Sequence, residues 1–498
     1  MLFRSLYTQV ESDFPSRTQT ILWSKVTDIY GTGNYKDCKD PISNLSTIRS
    51  CGCAITSSVM ALRFYIVRPA SGEDVNPKTI NDWLKLNSGY SSVGDLVWPQ
   101  LVAYSGGSLS YKFSDKDSDL LNSELAAGHP VILAESTTDP GKAGHFIVAD
   151  GQLAQTYTIR DPRWYKTRFL TQAVADIQTE RNYSNNFLSM RLLTPVIGQN
   201  IVPDAIYVSL ASPAEFLITD PNGRRLGKDP VTGVSFNEIP DGAYYREGIS
   251  GGTPENPTPP HESKIVWIPT PATGQYNLQV IGTGNGSYTL DSLIYDAQGN
   301  THPQIFTGIA ETNLVTDFNL NFTPNQPENI VVKPADKIPP EAKIFFDKDN
   351  KHVKVEGVDN ITQPGPSVER QNNLYTIRDA AENILKLSFE KVKQEGREIK
   401  AELESLQYNI QPIIELPKTD LKFEWSVDKD TQQIKKLKQN IEVRNQFEIK
   451  AKYNLQKNET EIKIERGRGK ERELSKQALP GLVIIKLTTK SGALDFEF

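Results

Sequence analysis

Apolar positions repeat at helical spacing in several places along the N-terminal part of the chain. In "CAITSSVMALRFYI" (53–66), Ile55, Val59, Leu62 and Ile66 fall on one face, which predicts an amphipathic helix packed against a core. "VNPKTINDWLKLNSGY" predicts a second helix. Asn76 suits the cap, Pro77 the first helical position, Ile80, Trp83 and Leu84 the buried stripe, and Asn87–Gly89 the stop. "DLLNSELAAGHPVILAES" reads as a helix, a Gly-His-Pro stop and a strand. "GHFIVADG" and "TYTIRDP" read as two strands around a short turn.

The pattern then changes. From about 200 to 325 helical periodicity is lost, and strand runs such as "AIYVSLASPAEFLITDPNG" are punctuated by Gly, Pro, Asn and Asp, the spacing of an antiparallel sandwich. "PNQPENIVVKPADKIPP" is a stiff, Pro-rich linker. Beyond it, Lys and Glu alternate with apolar residues in "KIFFDKDNKHVKVEGVDN" and "LYTIRDAAENILKLSFEKV", which fits a second β region with charged outer faces. "KVKQEGREIKAELESLQYN" is open to either helix or strand. The expected organisation is an α+β domain over 15–195, a β-sandwich-like domain over 200–325, a linker over 326–340 and a charged, mainly-β domain over 341–498.

Composition narrows the function classes. With 498 residues the chain has room for roughly three domains. A net charge of −6, with no basic cluster interleaved by aromatics, argues against nucleic-acid binding. No apolar run approaches the roughly 20 residues of a membrane span. The N-terminal apolar stretch is short and broken by Arg4, so no signal peptide is visible as written. That leaves a cytoplasmic protein, a mature form or a fragment. The three cysteines, 38, 51 and 53, make neither a disulfide-rich scaffold nor a zinc site, since no CxxC occurs and no His lies close in sequence. No cofactor is expected.

Two of those cysteines sit in "SCGCAITSSVMAL". Cys53 falls at the start of the first helix, where backbone N–H groups and the helix dipole favour a thiolate; the alternative is a small buried filler. Of the five histidines, His129, His261, His302 and His352 lie at turns, loops or charged stretches. His145 opens the strand "HFIVAD". A turn centred near Leu153 would set Ile147 opposite Ile159 and His145 opposite Asp161, placing an imidazole and a carboxylate side by side. The alternative is a surface pair at a sheet end, since such a register can slip.

Taken together, "CAITS" opening a helix, "NPKTINDWLKLNSGY", "GHPVILAE", "GHFIVADG" and "YTIRDPRW" resemble the family 39 cysteine peptidase-like domains, papain-like relatives of the bacteriocin double-glycine leader peptidases, over roughly residues 15–190. The resemblance implies a papain-like α+β fold followed by mainly-β domains, with Cys53 as nucleophile, His145 as base and Asp161 as its orienting partner. It implies Gln19, in "QTILW" with Trp23, as an oxyanion donor beside the Cys53 N–H. "QTILW" departs from the family's usual polar residues between Gln and Trp, and no transporter module follows, so leader cleavage is not implied. The expected partner is a peptide or protein substrate, cell-wall peptide included. A secreted or surface location would let Cys38 and Cys51 pair. The rival reading is a surface adhesion protein whose papain-like domain only recognises a peptide. "LPKTD" lies internally with no apolar tail, and Arg224 and Arg225 spoil a Ca²⁺-loop reading of "DPNGRRLGKDPVTG".

Overall fold

The computed structural model describes residues 30–32, 44–69, 72–136, 143–153, 156–163, 168–171, 183, 187–197, 202–248, 262–335, 340–347, 349–408, 414–443, 447–457, 459–466, 470–474, 485–490 and 493–497. The chain divides into two compact units, one spanning Met1–Ile305 and Ala310–Val332, the other Phe306–Ile309 and Lys333–Phe498.

The first unit begins with helices α1 (Ile48–Cys51), α2 (Cys53–Phe64), α3 (Pro77–Leu86) and α4 (Gln100–Tyr104), then β1 (Leu109–Asp115), α5 (Ser118–Ala126), β2 (Val131–Ser136), β3 (Ala143–Leu153), β4 (Thr156–Arg160) and β5 (Ser189–Pro195). The strands form one antiparallel sheet in the order β1-β5-β2-β3-β4. α3 starts where its cap chemistry dictates: Asn76 Oδ1 accepts from the N–H groups of Lys78 and Thr79, and Pro77 stands at the first helical position. Ile80 and Leu84 are buried, with Trp83 half-buried beside them.

α2 differs from the one-sided helix its spacing predicts, because every residue from Cys53 to Leu62 is buried. Two of its small polar residues find partners inside. Ser57 Oγ donates to the Phe146 carbonyl of β3 at 3.0 Å, and Ser58 Oγ donates to the Ala54 carbonyl at 2.8 Å. β2 and the first half of β3 are likewise buried on both faces. Ile132, Ala134, Phe146 and Val148 join the core of α2, whereas Leu133, Ile147, Ala149 and Ile159 pack with Leu121 of α5.

The same unit continues into strands β6 (Ala205–Ala211), β7 (Ala214–Thr219), β8 (Arg225–Lys228), β9 (Ser235–Asn237), β10 (Ala243–Glu247), β11 (Ser263–Pro269), β12 (Gly274–Gly282), β13 (Gly286–Tyr295), β14 (Thr301–Ala310) and β15 (Val315–Phe322). One sheet runs β10-β11-β6-β13-β14 and another β15-β12-β7-β8-β9. Tyr207, Tyr245, Ile265, Trp267, Leu293 and Tyr295 belong to the same buried cluster as α2. The helical region and the first β region therefore share a core.

In the second unit, a hairpin of Glu341–Asp347 and His352–Val358 accompanies nine sequentially paired strands running from Ser367–Gln371 to Lys470–Leu474. The segment left open between helix and strand is a hairpin, Ile384–Glu395 against Glu398–Tyr408. Period-2 alternation decides it: Leu385, Leu387, Phe389, Ile399, Ala401 and Leu403 are buried together, which a helical period would not allow.

Candidate functional site

Cys53 is the first residue of α2 and a free thiol, 3% exposed. Cys51, the last residue of α1, is disulfide-bonded. Cys38, the other half expected of such a bridge, lies outside the described residues. Gly52 joins the two helices under close packing: a Cβ there would come within 2.4 Å of the Ile48 carbonyl oxygen and 2.7 Å of Ile48 Cγ2. Only glycine fits this approach, and it fixes where α2 begins and so where Cys53 sits.

His145 lies near the start of β3, 1% exposed. Its Nε2 is 2.9 Å from Oδ1 of Asp161, a fully buried carboxylate one residue past β4. Burial alone would lower the basicity of His145. The charge of Asp161 and the hydrogen bond to it, followed by the hydrogen bond to Cys53 and its charge, reverse that and raise the pKa to about 9. Nε2 faces the carboxylate, so Nδ1 is the nitrogen that meets the Cys53 sulfur. The structure therefore brings Cys53, His145 and Asp161 together. Gln19 and Trp23 lie outside the described residues.

The register that unites His145 and Asp161 is not the one the sequence suggests. Leu153 pairs with Thr156 and Ala149 with Ile159, so Ile147 does not face Ile159 and His145 does not directly oppose Asp161. A bulge between Ala149 and Gly151 puts one extra residue into β3. With side chains alternating every second residue, the unbulged register would put His145 and Asp161 on opposite faces. The extra residue restores them to one face, two positions offset, within reach of a hydrogen bond. Asp150, at the bulge, accepts from Thr158 Oγ1 at 2.7 Å and from Arg160 Nε at 2.7 Å, which secures the distortion.

Two further residues frame the pair. Tyr183 Oη donates to Asp161 Oδ2 at 2.6 Å, and its ring lies 6.5 Å from the His145 ring at 15°. The Arg163 N–H donates to Asp161 Oδ1 at 2.8 Å. Glu135, 1% exposed, stands directly opposite His145 in the β2–β3 ladder. Tyr183 sits in the polar run "RNYSNN" outside any strand or helix, so no periodicity marks it. Of the other histidines, His129 Nδ1 is 2.8 Å from Glu124, and His302, which lies in β14 rather than in the expected turn, has Nε2 3.1 Å from Asp296. His352 belongs to the second unit, and His261 is outside the described residues. Among the described residues, no group of three or more His, Cys, Asp or Glu side chains could hold a metal ion.

A helix-borne thiol, an imidazole and a carboxylate in the chain order Cys, His, Asp accompany a direct finding: residues 39–190 match the family model described as Peptidase_C39 like family. This segment is a Peptidase_C39-like domain. It contains Cys53, His145, Asp161 and Tyr183, and Gln19 falls before it. No curated protein and no solved structure matches the chain. Beyond the Peptidase_C39-like domain the chain is mainly β-strand, and no helix among the described residues is long and apolar enough to cross a membrane.

Proposed function

We propose that this chain is a cysteine peptidase of papain-like α+β design, with two β regions appended to its Peptidase_C39-like domain. The observation that carries the reading is the 2.9 Å bond between His145 Nε2 and Asp161, with the Cys53 sulfur as the ring's other partner. Cys53 Sγ attacks the carbonyl carbon of a peptide bond, forming a C–S bond while the carbonyl electrons move onto oxygen. The Cys53 N–H and Gln19 receive that oxyanion. The His145 imidazolium gives its proton to the departing nitrogen as the C–N bond breaks. Water then attacks the thioester, losing a proton to His145, and the carboxylic acid leaves as Cys53 is regenerated. Asp161 holds the ring's tautomer and stabilises its charged form.

A secreted or surface location is part of the proposal. The disulfide at Cys51 supports it, because such bonds persist in oxidising compartments. The test is a peptide library offered to the full chain. Cys53→Ala is expected to abolish both turnover and labelling by a thiol-directed probe. Turnover that persists in Cys53→Ala would overturn the assignment.

A further inference from the structure

Asp161 is held from two sides. Oδ1 accepts from His145 Nε2, and Oδ2 accepts from the Tyr183 hydroxyl at 2.6 Å, the length of a charge-assisted bond from a hydroxyl to a carboxylate. All three side chains are buried, with Tyr183 6% exposed. The two rings are nearly parallel, so the carboxylate bridges their edges. We infer that Tyr183 is a positioning residue of the thiol site: its hydroxyl fixes the rotation of Asp161 and, by sharing the carboxylate's charge, sets how strongly Asp161 holds the proton on His145.

The inference rests on the proposed triad, but it makes a separate claim about a residue argued to act through Asp161. Oδ1 also accepts from the Arg163 N–H, which pins that oxygen while the carboxylate plane can still turn about it. The bond to Oδ2, from a residue 22 positions further along the chain, opposes that turn. The hydroxyl also draws charge away from Asp161, so its loss leaves more negative charge facing His145. Among the described residues, the titratable groups that the contacts set beside His145 and its carboxylate are Cys53 of α2, Glu135 of β2, Asp161 and Tyr183. Of these, Tyr183 is the one whose proton donation can be removed while ring and volume stay in place.

The substrate is unidentified, so the test uses iodoacetamide and reads the rate of Cys53 alkylation against pH on the full chain. His145→Ala is the first arm: it must remove one titration step from the wild-type profile, and a profile it leaves unchanged would sink the triad reading itself. In Tyr183→Phe that same step is expected to move upward by about half a unit, the size of one modest hydrogen bond. A fluorotyrosine installed at position 183, a stronger donor of nearly the same size, should move the step downward and keeps the test alive should the phenylalanine variant not fold. If His145→Ala removes the step but neither change at 183 shifts it, the triad stands and the role of Tyr183 is refuted. In Asp161→Asn, Tyr183→Phe should produce no further shift; an undiminished one would place the effect elsewhere and also refute the role.

Discussion

The protonation of His145 is set by a contest that burial would win without Asp161. Desolvation disfavours the imidazolium, and the adjacent carboxylate overcomes it and holds the pKa at about 9. The charged ring is therefore the neutral-pH state, and activity that needs it should fall as pH rises through about 9. Asp161→Asn keeps an acceptor for Nε2 but removes the charge. The alkaline limb of kcat/KM is then expected to fall below 9, and kcat at pH 7.5 should drop by roughly 10²-fold or more. A limb that stays in place while kcat falls would mean that Asp161 works through geometry alone.

Elements in this domain are placed by a few local devices of unequal legibility. α3 could be read from its letters, since Asn76, Pro77 and the Ile80–Leu84 stripe are local signals. Asn76→Ala should cost about 1 kcal/mol in denaturant unfolding with activity unchanged, because the cap lies outside the thiol site. The helix start at Cys53 was legible too, but not why glycine precedes it. Gly52→Ala would drive a Cβ into the Ile48 carbonyl, so α1 and α2 must separate. We expect about 1–3 kcal/mol of destabilisation and at least a tenfold slower alkylation of Cys53, as the thiol moves away from His145. Normal alkylation in a destabilised variant would show that the junction serves folding alone. The His145–Asp161 register was out of reach, because a bulge leaves no mark in hydrophobic alternation. The full burial of α2 was hidden as well: a one-sided stripe of Ile55, Val59 and Leu62 does not show that Thr56, Ser57 and Ser58 are buried too, which takes packing such as that of β3 on Ser57.

At the scale of the first unit, the Peptidase_C39-like domain and the strands after it meet through buried charge that no local pattern could reveal. Arg191 is fully buried, its guanidinium 5.0–5.5 Å from the ring centroids of Phe146, Phe113, Trp98 and Tyr245. It donates to Glu247, 56 residues away on β10, at 3.0 Å, and Trp98 Nε1 donates to the same carboxylate at 2.5 Å. Beside them Asp95 accepts from Ser263 Oγ on β11, while Asp291 on β13 accepts from Ser92. Of these three carboxylates, Glu247 is the one bonded to the guanidinium. Burial first, then the charges of Glu247 and Asp291, raise the Asp95 pKa to about 8 despite its serine bonds. Its folded-state pKa exceeds the ordinary 3.8, so the folded protein holds a proton that the unfolded chain releases. The stabilisation is complete below about pH 4 and is lost as pH rises towards 8, at up to ~1.4 kcal/mol per pH unit. Urea unfolding of the wild type should therefore weaken between pH 5 and 8. Asp95→Asn, which stays neutral and keeps an acceptor for Ser263, should flatten that slope and be the more stable protein at pH 8. The raised pKa values of Glu247 and Asp291 act in the same direction, so a residual slope is expected. Parallel slopes in wild type and variant would mean that Asp95 is already ionised in the seam and that Arg191 balances more charge than its bond to Glu247 implies.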